Sequence, residues 1–249
     1  MSEVSKPVDI IRSWGVFVPE DAITEVAKVL RSTWLNTGQQ ERRLREAFAK
    51  RFQTPYCVAT CNGTASLRAS LAMLKVGPGD EVISTPMTFI ATNTSILEQG
   101  ATPVFADIRY DDLNIDPASV RAKITPKTKA IICVHYAGNP CDMDELWAIG
   151  REHNIPVIED SCHALGSAYK GHPIGAQGDL ACFSFQAVKI VTSGDGGMIS
   201  TTRADYYAEL KKYLWYGVDR EGRPPGVDAL PDDVDVLGVK YNKIGRAHV

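Results

Sequence analysis

The strongest constraint in this chain is a rhythm that begins at residue 56, where short, unbroken apolar runs alternate with helix-length segments. The apolar runs cover residues 56–60, 81–84, 102–106, 130–134, 157–159, 180–184 and 197–200, and within them hydrophobicity is continuous rather than alternating. A strand apolar on both faces must be covered on both faces, as in a parallel sheet flanked by helices. Helical segments are expected at 64–74, 88–99, 117–123, 143–152 and 206–215, in the gaps between strands. The expected fold class is therefore three-layer α/β with a mainly parallel mixed sheet. Upstream, residues 8–53 read as an arm and two helices. The first starts at Pro19, with Ile23, Val26, Ala27 and Leu30 on one face; the second covers 41–52, and residues 34–38 form the turn between them. The 249 residues suffice for one large domain with a buried core. A sheet of this kind binds ligands beyond the carboxyl ends of its strands, and the polar residues of this sequence collect there.

Composition removes several function classes. The chain is 44% hydrophobic and 23% charged with a net charge of −3, and no basic stripe marks it for nucleic acid. Six scattered cysteines form no C-x-x-C pair, so no zinc or other metal site is expected and a reducing cytoplasm is the plain reading. Cys133 and Cys182 lie in apolar runs as small core residues. The first residues lack the apolar core of a signal peptide, and no apolar run approaches membrane-spanning length.

Three segments carry candidate chemistry. Asn62-Gly63-Thr64-Ala65 follows a strand and opens a helix, so the backbone N–H groups of Gly63, Thr64 and Ala65 can meet a phosphate, which the helix dipole favours. The same residues also read as an ordinary helix start with Thr64 as the cap. The strand at 157–159 runs into Glu159 and Asp160, and at least one carboxylate must enter the cleft. A carboxylate there can pair with a protonated pyridine nitrogen, the partner that pyridoxal phosphate (PLP) sites use alongside a Schiff-base lysine; an Asp capping the next loop fits equally. The third segment leads from Ser184 to Lys189 and then to Gly194-Asp195-Gly196-Gly197, where glycines let backbone approach a ligand. A lysine that bonds a carbonyl must be deprotonated, so Lys189 should be partly desolvated. Phe89 can stack on a flat ring or belong to the core. His163, three residues after Asp160, can line the same cleft or be structural.

Taken in order, these segments resemble the DegT-type (DegT/DnrJ/StrS) sugar aminotransferases, a family of fold-type-I PLP enzymes. The resemblance runs from Pro19 to about Asn242 through residues 34–38, 62–67, 77–82, 100–105, 134–138, 159–166, 183–197 and 215–220. It implies a PLP-binding large domain with an N-terminal arm over residues 1–242. It also implies that Lys189 carries the cofactor and that Asp160 pairs with its ring nitrogen, both as catalytic residues. Thr64, Ala65 and Ser184, beside Gly63 of the same turn, match phosphate contacts. Phe89 matches the ring-stacking aromatic, and His163 stands near the cofactor hydroxyl. Some members carry histidine in place of the lysine and act as sugar dehydratases, against which Lys189 argues. The implied activity moves an amino group, usually from L-glutamate, to a nucleotide-linked keto-sugar. The implied assembly is a homodimer with shared sites, in which Asn242 would reach the partner's PLP phosphate. Two competing readings are another fold-type-I activity and a PLP-fold binding or regulatory protein without turnover.

Members of that family continue into a smaller C-terminal domain, and this sequence does not match the continuation. Residues 243–249, Lys-Ile-Gly-Arg-Ala-His-Val, read as a non-native tail of the kind left when a reading frame runs into a sequencing adaptor. The expectation is then a truncated enzyme, aggregation-prone where the absent domain would pack.

Overall fold

Neighbouring residues of one strand enter opposite cores. Ile132 packs with Leu67, Leu71 and Leu210, whereas Ile131 and Cys133 pack with Val120, Leu146 and Ile149. That two-sided burial is what the continuous apolar runs require. The computed structural model describes residues 16, 18–35, 37–219 and 237–241. Its strands are β1 (Tyr56–Thr60), β2 (Glu81–Ser84), β3 (Thr102–Phe105), β4 (Thr128–Val134), β5 (Val157–Asp160), the two-residue β6 (Ala168–Tyr169) and β7 (His172–Pro173), β8 (Leu180–Ser184) and β9 (Gly197–Thr201). Its helices are α1 (Glu20–Arg31), α2 (Gln39–Phe52), α3 (Gly63–Met73), α4 (Ile90–Glu98), α5 (Pro117–Ala122), α6 (Met143–His153) and α7 (Ala204–Tyr213).

Seven strands form one sheet in the order β1-β9-β8-β5-β4-β2-β3, and β6 pairs with β7 in a separate hairpin. Among the described strands of this sheet only β9 runs against the rest, antiparallel to both β1 and β8; the other neighbours are parallel. One face of the sheet packs on α3 and α7, and the other on α5 and α6, with Phe48 of α2 beside Phe183 at one end. The expected three-layer α/β fold with a mainly parallel mixed sheet is thus present.

The departures from expectation are local. The β6–β7 hairpin is too short to show as an apolar run. Its turn places Lys170 and Gly171 at φ 48° and 86°, and glycine tolerates that region freely. Helix α4 starts at Ile90, two residues later than its pattern suggests, because Phe89 is held extended at φ −69° and ψ 140° as the residue before the first turn. Helix α1 rests on Ala22 and Val29, whereas Ile23 and Leu30, on the apolar face expected of it, are 57% and 60% exposed.

Gly197 shows how tightly the strand ends are drawn together. It faces Thr60 across the β1–β9 pair, and a Cβ there would fall 2.6 Å from the Asn62 carbonyl oxygen and against the Thr60 hydroxyl. The Asn62 carbonyl is backbone and the Thr60 hydroxyl sits on a short, fully buried β-branched side chain, so the clash cannot be relieved by a flexible side-chain end. Gly197→Ala should cost about 1–3 kcal/mol through overpacking. Gly77→Ala meets nothing within 4 Å at ordinary φ and should be neutral or stabilise by up to about 1 kcal/mol. Urea unfolding of the two variants measures the contrast, and equal midpoints would remove this account of the close approach.

Candidate active site

The carboxyl ends of β1, β2, β4, β5 and β8 open into one cavity of ≈ 530 Å³. At the end of β1, Asn62 is extended and its side-chain oxygen accepts the Ala65 N–H at 2.8 Å, so Asn62 and not Thr64 caps α3. A Cβ on Gly63 would lie 2.9 Å from both Cys162 Sγ and Ser184 Cβ; glycine is what lets the helix start press onto the ends of β5 and β8. The N–H groups of Gly63 and Thr64 have no acceptor among the described residues, and both residues line the cavity. They are the unsatisfied donors of a helix N-terminus, suited to an anion. Ala65 departs from the expected set, because its N–H is taken by Asn62 and its side chain is buried behind the cavity wall.

At the end of β5 the two carboxylates separate. Glu159 is buried with His135, Oε2 to Nε2 at 3.0 Å, while His135 Nδ1 accepts the Cys141 N–H at 3.1 Å. That places the ring proton on Nε2, donated to Glu159. Asp160 lines the cavity instead. Its Oδ2 accepts the Thr92 hydroxyl at 2.6 Å, and its Oδ1 accepts the Cys162 N–H at 3.2 Å. The residue is only 6% exposed, and no described cationic nitrogen lies within ion-pair reach. A buried carboxylate held only by neutral donors is costly and suited to a cationic ligand group.

At the end of β8, Ser184 is buried and its Oγ accepts the Gln186 N–H at 3.3 Å. Gln186 in turn holds the following bend: its carbonyl accepts the Lys189 N–H at 2.9 Å and its side chain the Val188 N–H at 3.0 Å. The bend sets Lys189 half-buried on the cavity wall, and among the described residues its Nζ has neither a hydrogen bond nor an ion pair. Phe89 stands at the rim, 69% exposed despite its size. His163 lines the same wall, and burial holds its imidazole below the usual value, reinforced by the Lys189 charge and opposed by Asp160. Burial pushes the neighbouring Cys162 thiol well up, so it is a poor nucleophile.

Of the residues expected from sequence, Gly63, Thr64, Phe89, Asp160, His163, Ser184 and Lys189 therefore meet in one cavity. Asn242 lies outside the described residues, although Tyr241 is beside the helix start, its carbonyl accepting the Cys61 N–H at 2.7 Å. Sequence reasoning missed Thr92, Thr88 and Gln186. The i, i+4 spacing of Thr88 and Thr92 after a strand end was the available signal. A larger concavity of ≈ 760 Å³ lies at the opposite ends of the strands, around Thr128, Ile155 and Asp179, without this combination of groups. The donor set fits a ligand with a phosphate at one end, a cationic flat ring in the middle and an electrophilic carbon near Lys189, which is the chemistry of PLP.

Comparison with known proteins agrees. The family model described as DegT/DnrJ/EryC1/StrS aminotransferase family matches residues 18–242. Among solved structures, the aminotransferase from Psychrobacter cryohalolentis is 38% identical with a TM-score of 0.86, over 94% of this chain and 60% of that one. The PLP-form of Spr1654 from Streptococcus pneumoniae is 34% identical with a TM-score of 0.85, over 94% and 63%. Sugar aminotransferase CalS13 from Micromonospora echinospora is 32% identical with a TM-score of 0.87, over 94% and 65%. The chain thus spans 60–65% of the length of these relatives.

The position of His163 yields a test of the cavity's electrostatics. Because its folded value is depressed, the folded state binds this proton less readily than the unfolded chain. The stability it contributes is present above the ordinary imidazole range and lost as pH falls through the folded value. Lys189→Met removes the nearby cation, so the His163 titration followed by NMR in cofactor-free protein should move upward from its wild-type midpoint. An unmoved or lowered midpoint would mean that Lys189 does not face His163 across the cavity.

Proposed function

The chain belongs to the DegT/DnrJ/EryC1/StrS aminotransferase family, and from that premise we propose that it forms the cofactor-bearing part of a PLP-dependent aminotransferase. The observation that carries this reading is the pairing, in one cavity, of a buried Asp160 with a half-buried Lys189, neither of them ion-paired among the described residues. A regulatory protein that only kept the fold would have no need to retain both.

In this reading each group has one task. Gly63 and Thr64 direct backbone N–H groups, and Ser184 a hydroxyl, at the phosphate. Asp160 accepts from the ring nitrogen and keeps it cationic. Phe89 covers one ring face, and His163, neutral at ordinary pH, meets the ring hydroxyl. When bound, PLP supplies the carbonyl carbon that takes up the amino group and a ring that withdraws electrons from it. Lys189, whose Nζ faces the cavity, would hold the cofactor covalently and would be the group that takes up and returns a proton, as general base and then acid. Asp160 would hold a fixed negative charge against the ring nitrogen.

The donor is L-glutamate and the acceptor a nucleotide-linked keto-sugar, in keeping with the sugar aminotransferase among the solved relatives. The working assembly is a homodimer with shared active sites. Six free cysteines suit a reducing cytoplasm, and no described helix is long and apolar enough to cross a membrane. Borohydride reduction of PLP-loaded protein followed by peptide mapping should find the pyridoxyl group on Lys189 and none in Lys189→Ala. The loaded wild type should also release 2-oxoglutarate from L-glutamate in a single turnover. A folded protein with no adduct would overturn the cofactor reading; an adduct without 2-oxoglutarate would favour a different fold-type-I activity.

A further inference from the structure

Asp160 is oriented from behind by a two-hydroxyl chain that the sequence motifs did not include. Thr92 is fully buried in the first turn of α4, and its Oγ1 donates to Asp160 Oδ2 at 2.6 Å. A threonine hydroxyl has one proton, and here the carboxylate takes it. The contact between Thr88 Oγ1 and Thr92 Oγ1 at 2.7 Å must therefore run from Thr88 to Thr92. The direction of the whole chain is set: Thr88 donates to Thr92, and Thr92 to Asp160. The other carboxylate oxygen is held by the Cys162 N–H. Both oxygens are thus anchored on the protein side by neutral donors, and neither anchor neutralises the charge that faces the cavity.

The consequence follows from the geometry of a carboxylate. Each oxygen keeps a second lone pair, and with the carboxylate plane fixed by two anchors the directions of these remaining lone pairs are fixed as well. Without Thr92 the group would rotate about its terminal torsion, which is broad and soft, and a buried oxygen would lose its partner. We propose that Thr92, itself aligned by Thr88, is a positioning residue that sets the direction from which Asp160 accepts the ring-nitrogen proton of the cofactor. Thr88 and Thr92 both line the cavity as well, so the chain joins the helix bearing the exposed Phe89 to the strand end bearing Asp160. One hydrogen-bonded unit therefore sets both the ring-stacking residue and the ring-nitrogen partner. This inference rests on the PLP reading above.

The test compares wild type with Thr92→Val, Thr92→Ser and Thr88→Val in the full chain. The measurements are the PLP dissociation constant, the pH midpoint of the bound cofactor's visible absorption, and the unfolding midpoint of cofactor-free protein. Thr92→Val removes a hydrogen bond to a charged group and should weaken PLP binding about tenfold or more, with a displaced absorption midpoint. Thr92→Ser keeps the donor and should restore both to within about threefold of wild type. Thr88→Val leaves the last link intact and should show a smaller displacement in the same direction. Should Thr92→Val fail to fold, the Ser and Thr88 variants decide. A Thr88→Val protein with wild-type affinity and absorption midpoint, or a Thr92→Val protein altered only in unfolding, overturns the positioning role and leaves the PLP reading intact. A wild type that takes up no PLP overturns the PLP reading and this inference with it.

Discussion

A carboxylate at the end of a buried parallel strand, anchored by a hydroxyl and a backbone N–H but by no cation, is the constraint on which the rest of the site depends. Burial of Asp160 raises the demand for a positive partner, and the described part of the protein supplies none within reach. Its neighbour in sequence, Glu159, is instead turned into the protein, where its Oε2 accepts the His135 ring proton. Two adjacent carboxylates on one strand thus point to opposite sides, one closed off by the protein and one left open toward the cavity. The period of two along a strand makes this separation automatic. On the side away from the cavity, Gly178 leaves room for the Glu159 carboxylate, which an added Cβ would meet.

Around that carboxylate the sheet's topology does the assembling. Parallel strands deliver their carboxyl ends to one edge, so β1, β5 and β8 bring a helix start, an acid and a lysine-bearing bend together from residues far apart in sequence. The single antiparallel strand, β9, inserts between β1 and β8, and its first residue must be glycine for Thr60 and Asn62 to approach. Gly63 does the same for α3 against Cys162 and Ser184. The space for a ligand is therefore set by backbone packing at two glycines more than by the side chains that line it.

Much of this was legible in the sequence, for a physical reason. Two-sided burial writes itself as continuous apolar runs, so all seven strands of the main sheet could be located within a few residues, and strand ends then predicted where polar residues must gather. The β6–β7 hairpin escaped because two residues carry no period. The alternative reading of Thr64 as the α3 cap gives way to Asn62, because both residue types cap helices and only the backbone angles separate them. The exposed face of α1 could not be foreseen, since amphipathicity announces an apolar face without saying what covers it. Thr92 was hidden for a different reason: a threonine in a helix is unremarkable until its hydroxyl is seen against a carboxylate 68 residues away.

The site is also polarised, and this narrows the ligand more than any single residue does. At one wall the free N–H groups of Gly63 and Thr64, at the positive end of α3, favour negative charge. At the other, Asp160 favours positive charge. A simple phosphate or sugar phosphate would satisfy the first wall and be repelled by the second; an amine would do the reverse. A molecule that carries a phosphate and a protonated ring nitrogen on one rigid frame satisfies both at once, and the unengaged Lys189 nitrogen then stands beside whatever carbon the frame presents. The affinity of such a ligand comes from two charge-complementary ends that cannot be moved independently. Changes that loosen either end should therefore misplace the reacting carbon as well as weaken binding, because the same frame transmits both.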